Sequence, residues 1–374
     1  MRRTLFVLVV WITGVLQAQT IDNKIRLSIS PSVIHTAENK AIIEQLTRFL
    51  QTKNQDPYTN AYWNKDDFKR FVSPYRSIVG IEQGRLGSHF YQPALMELLS
   101  TDDPTKQIAK IAYIGHNTET KENSLRLIYN IVVNITQDKI YFSSYTDLAT
   151  SSWQKYTQGA ITYVISPGKK LNVKEVESQV NDIERLTSFF NTEQIPITYY
   201  SCVEAKELFN IKGFDYHADM YLSKHGGLAE EGGIVYSANN AETYTHEVTH
   251  IYMQKLFPFL PTILDEGLAT YFGGSGFYDY QWHKTALKNY MANHTIDYAY
   301  YLDRPYERFY INDETPVPYL TGALICEYAI KQVGQEKFVE DLHQINQEMD
   351  IWEIIHLWGL TKANINDELN QTLL

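Results

Sequence analysis

HEVTH, residues 246–250, sets two histidines four positions apart with a glutamate beside the first. The surroundings predict a helix. Asn239 is a good N-cap residue, Glu242 three positions later completes a capping box, and Phe257-Pro258 stops the helix after Leu256. On a helix, residues four apart lie one turn apart and only about 40° round the axis. His246 and His250 therefore project side by side and can aim two imidazole nitrogens at one ion. Glu247 falls one step round, beside such an ion, while Tyr244, Val248, Ile251 and Tyr252 are left to pack the helix.

Two histidines do not complete a catalytic zinc site, which usually takes three protein ligands and a water. On its own the pentapeptide also reads as two histidines satisfied by ordinary hydrogen bonds. The segment PFLPTILDEGLATYF, 258–272 from its first proline, changes the balance. Pro258 and Pro261 force a turn, and a short helix follows from about Thr262. Leu264, Leu268 and Phe272 form its buried side, Gly267 permits close helix approach, and Glu266 is the candidate third ligand. Asp265 is the nearest competitor. A solvated helix charge is the bland alternative for Glu266, and an acid set in LDEGLA fits it poorly.

HExxH followed by a glutamate in an L-[ND]-E-G-x-A setting resembles the gluzincin metallopeptidases, the group of thermolysin-like enzymes and zinc aminopeptidases. VPYLTGALICEYAIKQVGQEKF, 317–338, is similar to the Val-Pro-Tyr-x-x-Gly segment of the aminopeptidases and the helix and glycine turn behind it. The resemblance covers roughly 160–340. It implies a zincin-like catalytic domain over 160–374, with a small sheet, an active-site helix and a helical C-terminal part. It further implies one Zn²⁺ held by His246, His250 and Glu266, with Glu247 as general base and Tyr319 as oxyanion donor. The substrate would be a peptide or protein, drawn by β-addition onto the strand GIVYS at 233–237. Two departures stand out. The Gly-x-Met-Glu-Asn strand of the aminopeptidases has no match, and Thr270 stands where gluzincins commonly place an acid that orients a ligand histidine. Either another acid such as Asp265 serves that task, or zinc is held less firmly. The competing functional reading is a catalytically inactive zincin-like binding protein, which would have no need of Glu247.

Elsewhere the chain is less specific. MRRTLFVLVVWITGVLQA, 1–18, has the basic start, short apolar run and small terminal residue of a secretory signal peptide, and its run falls short of the roughly 20 apolar residues of a span. An exported protein without a stable membrane anchor is expected. The formal charge of −11 argues against nucleic-acid binding, which needs basic surface. Composition says nothing of oligomeric state. Cys202 and Cys326 are either a disulfide or two buried thiols.

Residues 19–155 are expected to form a small α+β domain of unknown role, making the whole chain α+β. The pattern of 36–72 is helical. In LRLIYNIVVNI the odd positions Leu125 to Ile135 are all apolar, the period of a strand covered partly on both faces. Strands are further expected at 139–145, 161–166 and 195–203, a helix at 177–190, and a glycine-rich turn at HGGLAEEGG, 225–233. Two more Glu-x-x-His strings, Glu340 to His343 and Glu353 to His356, raise a di-iron bundle. The strand patterns leave no room for its four long helices, so packed or exposed C-terminal histidines are expected instead.

Overall fold

A computed structural model describes residues 22–373, so the leader expected at 1–18 lies outside the described residues. Among those described, no helix is long and apolar enough to cross a membrane. The chain mixes α and β, as the α+β expectation requires.

The first sheet runs in the order β1 (Ser28–Ile29), β2 (Tyr91–Ser100), β3 (Lys106–His116), β4 (Asn123–Ile135) and β5 (Ile140–Ser143), antiparallel except for the β1–β2 pair. Helix α1 (Ala37–Thr52), capped by the Thr36 side chain, buries Ile42, Leu46, Phe49 and Leu50 in the same core as Leu127, Tyr129, Ile131 and Val133 of β4. The helical pattern of 36–72 is thus two helices, α1 and α2 (Lys65–Phe71). Leu125 breaks the predicted alternation and is 41% exposed. The cause is a β-bulge. Ile114 pairs Leu125 and Tyr113 pairs Leu127, so Arg126 is an extra residue that shifts the phase.

After the short helix α3 (Thr146–Ala149), a second sheet forms from β6 (Gln154–Gln158), β7 (Ile161–Ile165) and β8 (Ile197–Ser201). Helix α4 (Val173–Phe190) makes the crossover between the parallel strands β7 and β8. The expected boundary at 155 therefore falls inside β6, a strand of the second sheet. The chain then passes through α5 (Ala205–Ile211) and sends β9 (Phe214–His217) back to the first sheet, against Leu127 to Tyr129 of β4. It returns as the hairpin β10 (Gly227–Glu230) and β11 (Ile234–Ser237), completing the order β10-β11-β8-β7-β6. Part of the expected glycine turn is thus strand. GIVYS lies inside the sheet, whose edge strands are β10 and β6.

The rest is mainly helical. α6 (Thr245–Leu256) carries HEVTH and is followed by α7 (Thr262–Gly273) and α8 (Tyr280–Met291). A small hairpin, β12 (Tyr310–Ile311) and β13 (Thr315–Pro316), leads into α9 (Val317–Val333), then α10 (Gln335–Gln344), α11 (Ile351–His356) and α12 (Ile365–Leu373). Helices α6, α7 and α9 share a core with Tyr163, Tyr199 and Val235 of the second sheet. The close approach foreseen at Gly267 is to α9. A Cβ there would lie 2.4 Å from the Gly322 carbonyl carbon, and one on Gly322 2.0 Å from Ile263 O. Both thiols are buried and free, Cys202 and Cys326 sitting in different cores. His343 and His356 are exposed, which leaves them no shared buried site.

Candidate metal centre

The metal-type cluster found among the described residues is His246, His250 and Glu266, with one possible ligand atom of each lying within 4.8 Å of the others. Two helices deliver it. The imidazoles come from successive turns of α6, with rings 4.9 Å apart and steeply inclined at 79°. Glu266 arrives from α7, folded back by the Pro258-Phe259-Leu260-Pro261 turn. All three side chains are buried.

The hydrogen bonds at the outer ring nitrogens define what the inner ones can do. His246 Nδ1 lies 2.7 Å from Gly274 O, and His250 Nδ1 lies 2.8 Å from Asp265 Oδ1. Both partners only accept, so each Nδ1 carries its hydrogen and each neutral ring presents Nε2 as a lone pair. These two lone pairs face Glu266 Oε2, at 3.3 Å from His246 Nε2 and 3.6 Å from His250 Nε2. Oε2 is buried and has no hydrogen-bond partner. With both rings in that neutral form three acceptors converge on one point, which either a proton on Nε2 or a cation must fill. Ligands about 2.0–2.1 Å from a tetrahedral zinc stand roughly 3.4 Å apart, so the residues present fit the ion.

The local electrostatics also call for positive charge. Burial works to lower the His250 pKa, yet Asp265 and then Glu266 hold it well above the usual histidine range. Burial likewise works to raise Glu266, yet His246 and His250 hold its carboxyl down at about 2. A centre that keeps its acid ionised and its base avid for a cation accepts either protons or one metal ion.

Glu247 is buried and takes no part in the cluster. Burial raises its carboxyl above the ordinary glutamate value, with His250 and His246 opposing. Strand β10 lies directly over it. A Cβ on Gly227 would sit 2.8 Å from Glu247 Cγ and 2.5 Å from the Tyr244 ring, so only glycine fits there. Tyr319, in the first turn of α9, stacks its ring 6.1 Å from that of His246 at 22°. Burial, reinforced by the Glu266 carboxylate, raises its phenol far above the usual tyrosine range and leaves it a donor at neutral pH.

Asp265 is not in the cluster; it holds the far side of His250 instead. Thr270 Oγ1 is buried without a partner. The capping-box expectation at Asn239 and Glu242 is corrected: α6 begins at Thr245, with no side-chain cap from its N-cap residue Tyr244. Glu242 is instead buried against Lys169 Nζ at 2.9 Å and Ser201 Oγ at 3.1 Å. Gln179 of α4 accepts the Tyr244 N–H at 2.7 Å, and the Thr245 hydroxyl donates to Asp182. The metal helix is therefore started by α4. Sequence reading missed Gly274 and Gly227, whose signal was their place in glycine pairs next to the motif helices.

No family model matches the chain, and no curated protein matches it.

Proposed function

We propose that this chain is an exported zinc-dependent metallopeptidase of gluzincin type, with a zincin-like arrangement of β10, α6 and α7. The carrying observation is the meeting of one ligand atom each from buried His246, His250 and Glu266 within 4.8 Å of one another. Three protein ligands leave one position open, as catalytic zinc sites do. Bound there, zinc would supply a water whose pKa falls from 15.7 toward ~7 and a Lewis acid for a peptide carbonyl.

The chain's own groups serve the rest of the reaction. Glu247 takes the proton of the attacking water on its carboxylate and passes it to the departing amine. Its burial raises its pKa toward the range where one group both accepts and returns a proton. Tyr319 donates from its hydroxyl to the developing oxyanion. The free edge of β10 offers backbone groups to an extended peptide, with Gly227 keeping that edge clear above Glu247.

Metal analysis of the purified chain and turnover of a quenched peptide mixture test the reading together. Glu247→Gln is expected to keep zinc at wild-type stoichiometry and to lose roughly 10²–10⁴ in rate. His246→Ala is expected to lose both metal and turnover. Zinc in the wild-type chain without cleavage of any peptide would instead support a zincin-like binding protein. Wild-type turnover in Glu247→Gln would remove that residue from the mechanism.

A further inference from the structure

An open surface cleft of about 860 Å³ lies in the unit of the first sheet, between the loop 83–90 and the ends of β3 and β4. None of the metal-centre residues lines it. Its floor is aromatic. The Phe90 ring occupies the space that side chains at two glycines would fill, since a Cβ on Gly115 would fall 2.1 Å from that ring and one on Gly84 2.9 Å. Tyr91 meets Phe90 edge to face at 4.8 Å.

Arg126 is the bulged residue of β4, the one without a partner on β3. Bulges recur beside binding sites because the extra residue re-aims a side chain. Here its guanidinium carbon stands 5.8 Å from the Tyr91 ring centroid, and Arg85 lines the same cleft from the loop. Arg48, Arg70, Arg185 and Arg304 each hold a carboxylate. Among the described residues neither Arg85 nor Arg126 has one within 4 Å, and the same holds for Arg26, Arg76 and Arg308 outside this cleft. The lining carboxylate, Glu122, already accepts the Thr120 hydroxyl at 2.9 Å. In a protein of net charge −11, two guanidiniums against one acid make this cleft locally positive.

We propose that the cleft is a binding site for a small organic carboxylate with an aromatic or apolar body. Its charged end would be held by Arg85 and Arg126, and its body would lie on Phe90, Tyr91 and Leu86. The volume lies within the ~300–1,000 Å³ of small-molecule sites, and guanidinium forks suit a carboxylate.

The test is calorimetric titration of the full chain with 3-phenylpropanoate, its neutral amide, and inorganic phosphate. Saturable binding is expected for the carboxylate, weaker binding for phosphate, which lacks the body, and none for the amide. Arg126→Gln and Arg85→Gln should each weaken the carboxylate by about tenfold or more, with thermal melts confirming the fold. Arg85, on an exposed loop, serves as the test if Arg126→Gln fails to fold. His246→Ala must leave binding unchanged. The proposal is overturned by no saturable binding up to about 10 mM, equal affinity for the amide, unaltered affinity in both arginine variants, or loss in His246→Ala, which would move binding to the metal centre.

Discussion

In the unit of the first sheet, Lys53 and Glu82 are buried against each other at 3.0 Å, with Asn54 bridging to both. At the candidate metal centre, two histidines and Glu266 are buried too, but their inner atoms meet without a fixed cation between them. The first set holds its own cation, although Glu82 Oε1, 3.0 Å from Lys53 Nζ, takes no hydrogen bond. Its cation is built into the chain, and its task is to pin the loop after Ile78 to the end of α1. The second set carries no fixed cation, so a proton or a metal ion from outside completes its balance. Burial and charge are alike in the two places. What separates the two clusters is whether the balancing cation is part of the chain.

That contrast is open to direct attack. The largest effect is expected at the closed set. Lys53→Met strands a buried carboxylate and should lower stability by about 3–5 kcal/mol, read from denaturant unfolding. Glu266→Gln should cost the metal-free chain far less at pH 8, because His250 can shed its extra proton once the carboxylate is gone. Equal losses in the two variants would erase the distinction.

At the centre itself, Tyr319→Phe should cost about 10²-fold in kcat, roughly 3 kcal/mol, with zinc content and KM nearly unchanged. A change confined to KM would make this tyrosine a binding residue only. Asp265→Asn should weaken zinc affinity by about 10–100-fold in a chelator competition, since it loosens His250 while leaving all three ligand atoms in place. The smallest effect belongs to Thr270, a buried hydroxyl without a partner that is not part of the cluster. Thr270→Val should change stability by less than about 1 kcal/mol and leave zinc affinity alone, because an unmatched polar group can be replaced by an isostere without loss. A marked loss of zinc would show that Thr270 supports the centre after all.

Much of the site was legible because it is written in short range. Four-residue spacing on a helix puts His246 and His250 on one side of α6 whatever the rest of the chain does. The two prolines and the apolar spacing after them announced α7 and made Glu266 the acid to watch. Asp265 was singled out as the acid able to replace the one missing at Thr270, and it lies on His250. The rest of the support was invisible because it comes from far along the chain. The carbonyl that orients His246 belongs to Gly274, and the residues that start α6 belong to α4. Asn239 and Glu242 had suitable side chains for a cap, but Glu242 went to Lys169, a buried cation supplied by the loop after β7. A local preference worth about 1 kcal/mol yields readily to such a pairing.

The sequence by itself determined the elements and their faces: the alternation in β4, the amphipathic α1, the motif helix and the returning helix. These follow from backbone geometry, which repeats every 2 or 3.6 residues and needs no distant partner. Which sheet each strand joins depends on long-range packing. The tertiary structure sent β9 back to the first sheet, made β10 rather than GIVYS an edge strand, and turned Leu125 outward through the bulge at Arg126. Strand pairing is a contact between distant segments, and no periodicity within a segment records its partner.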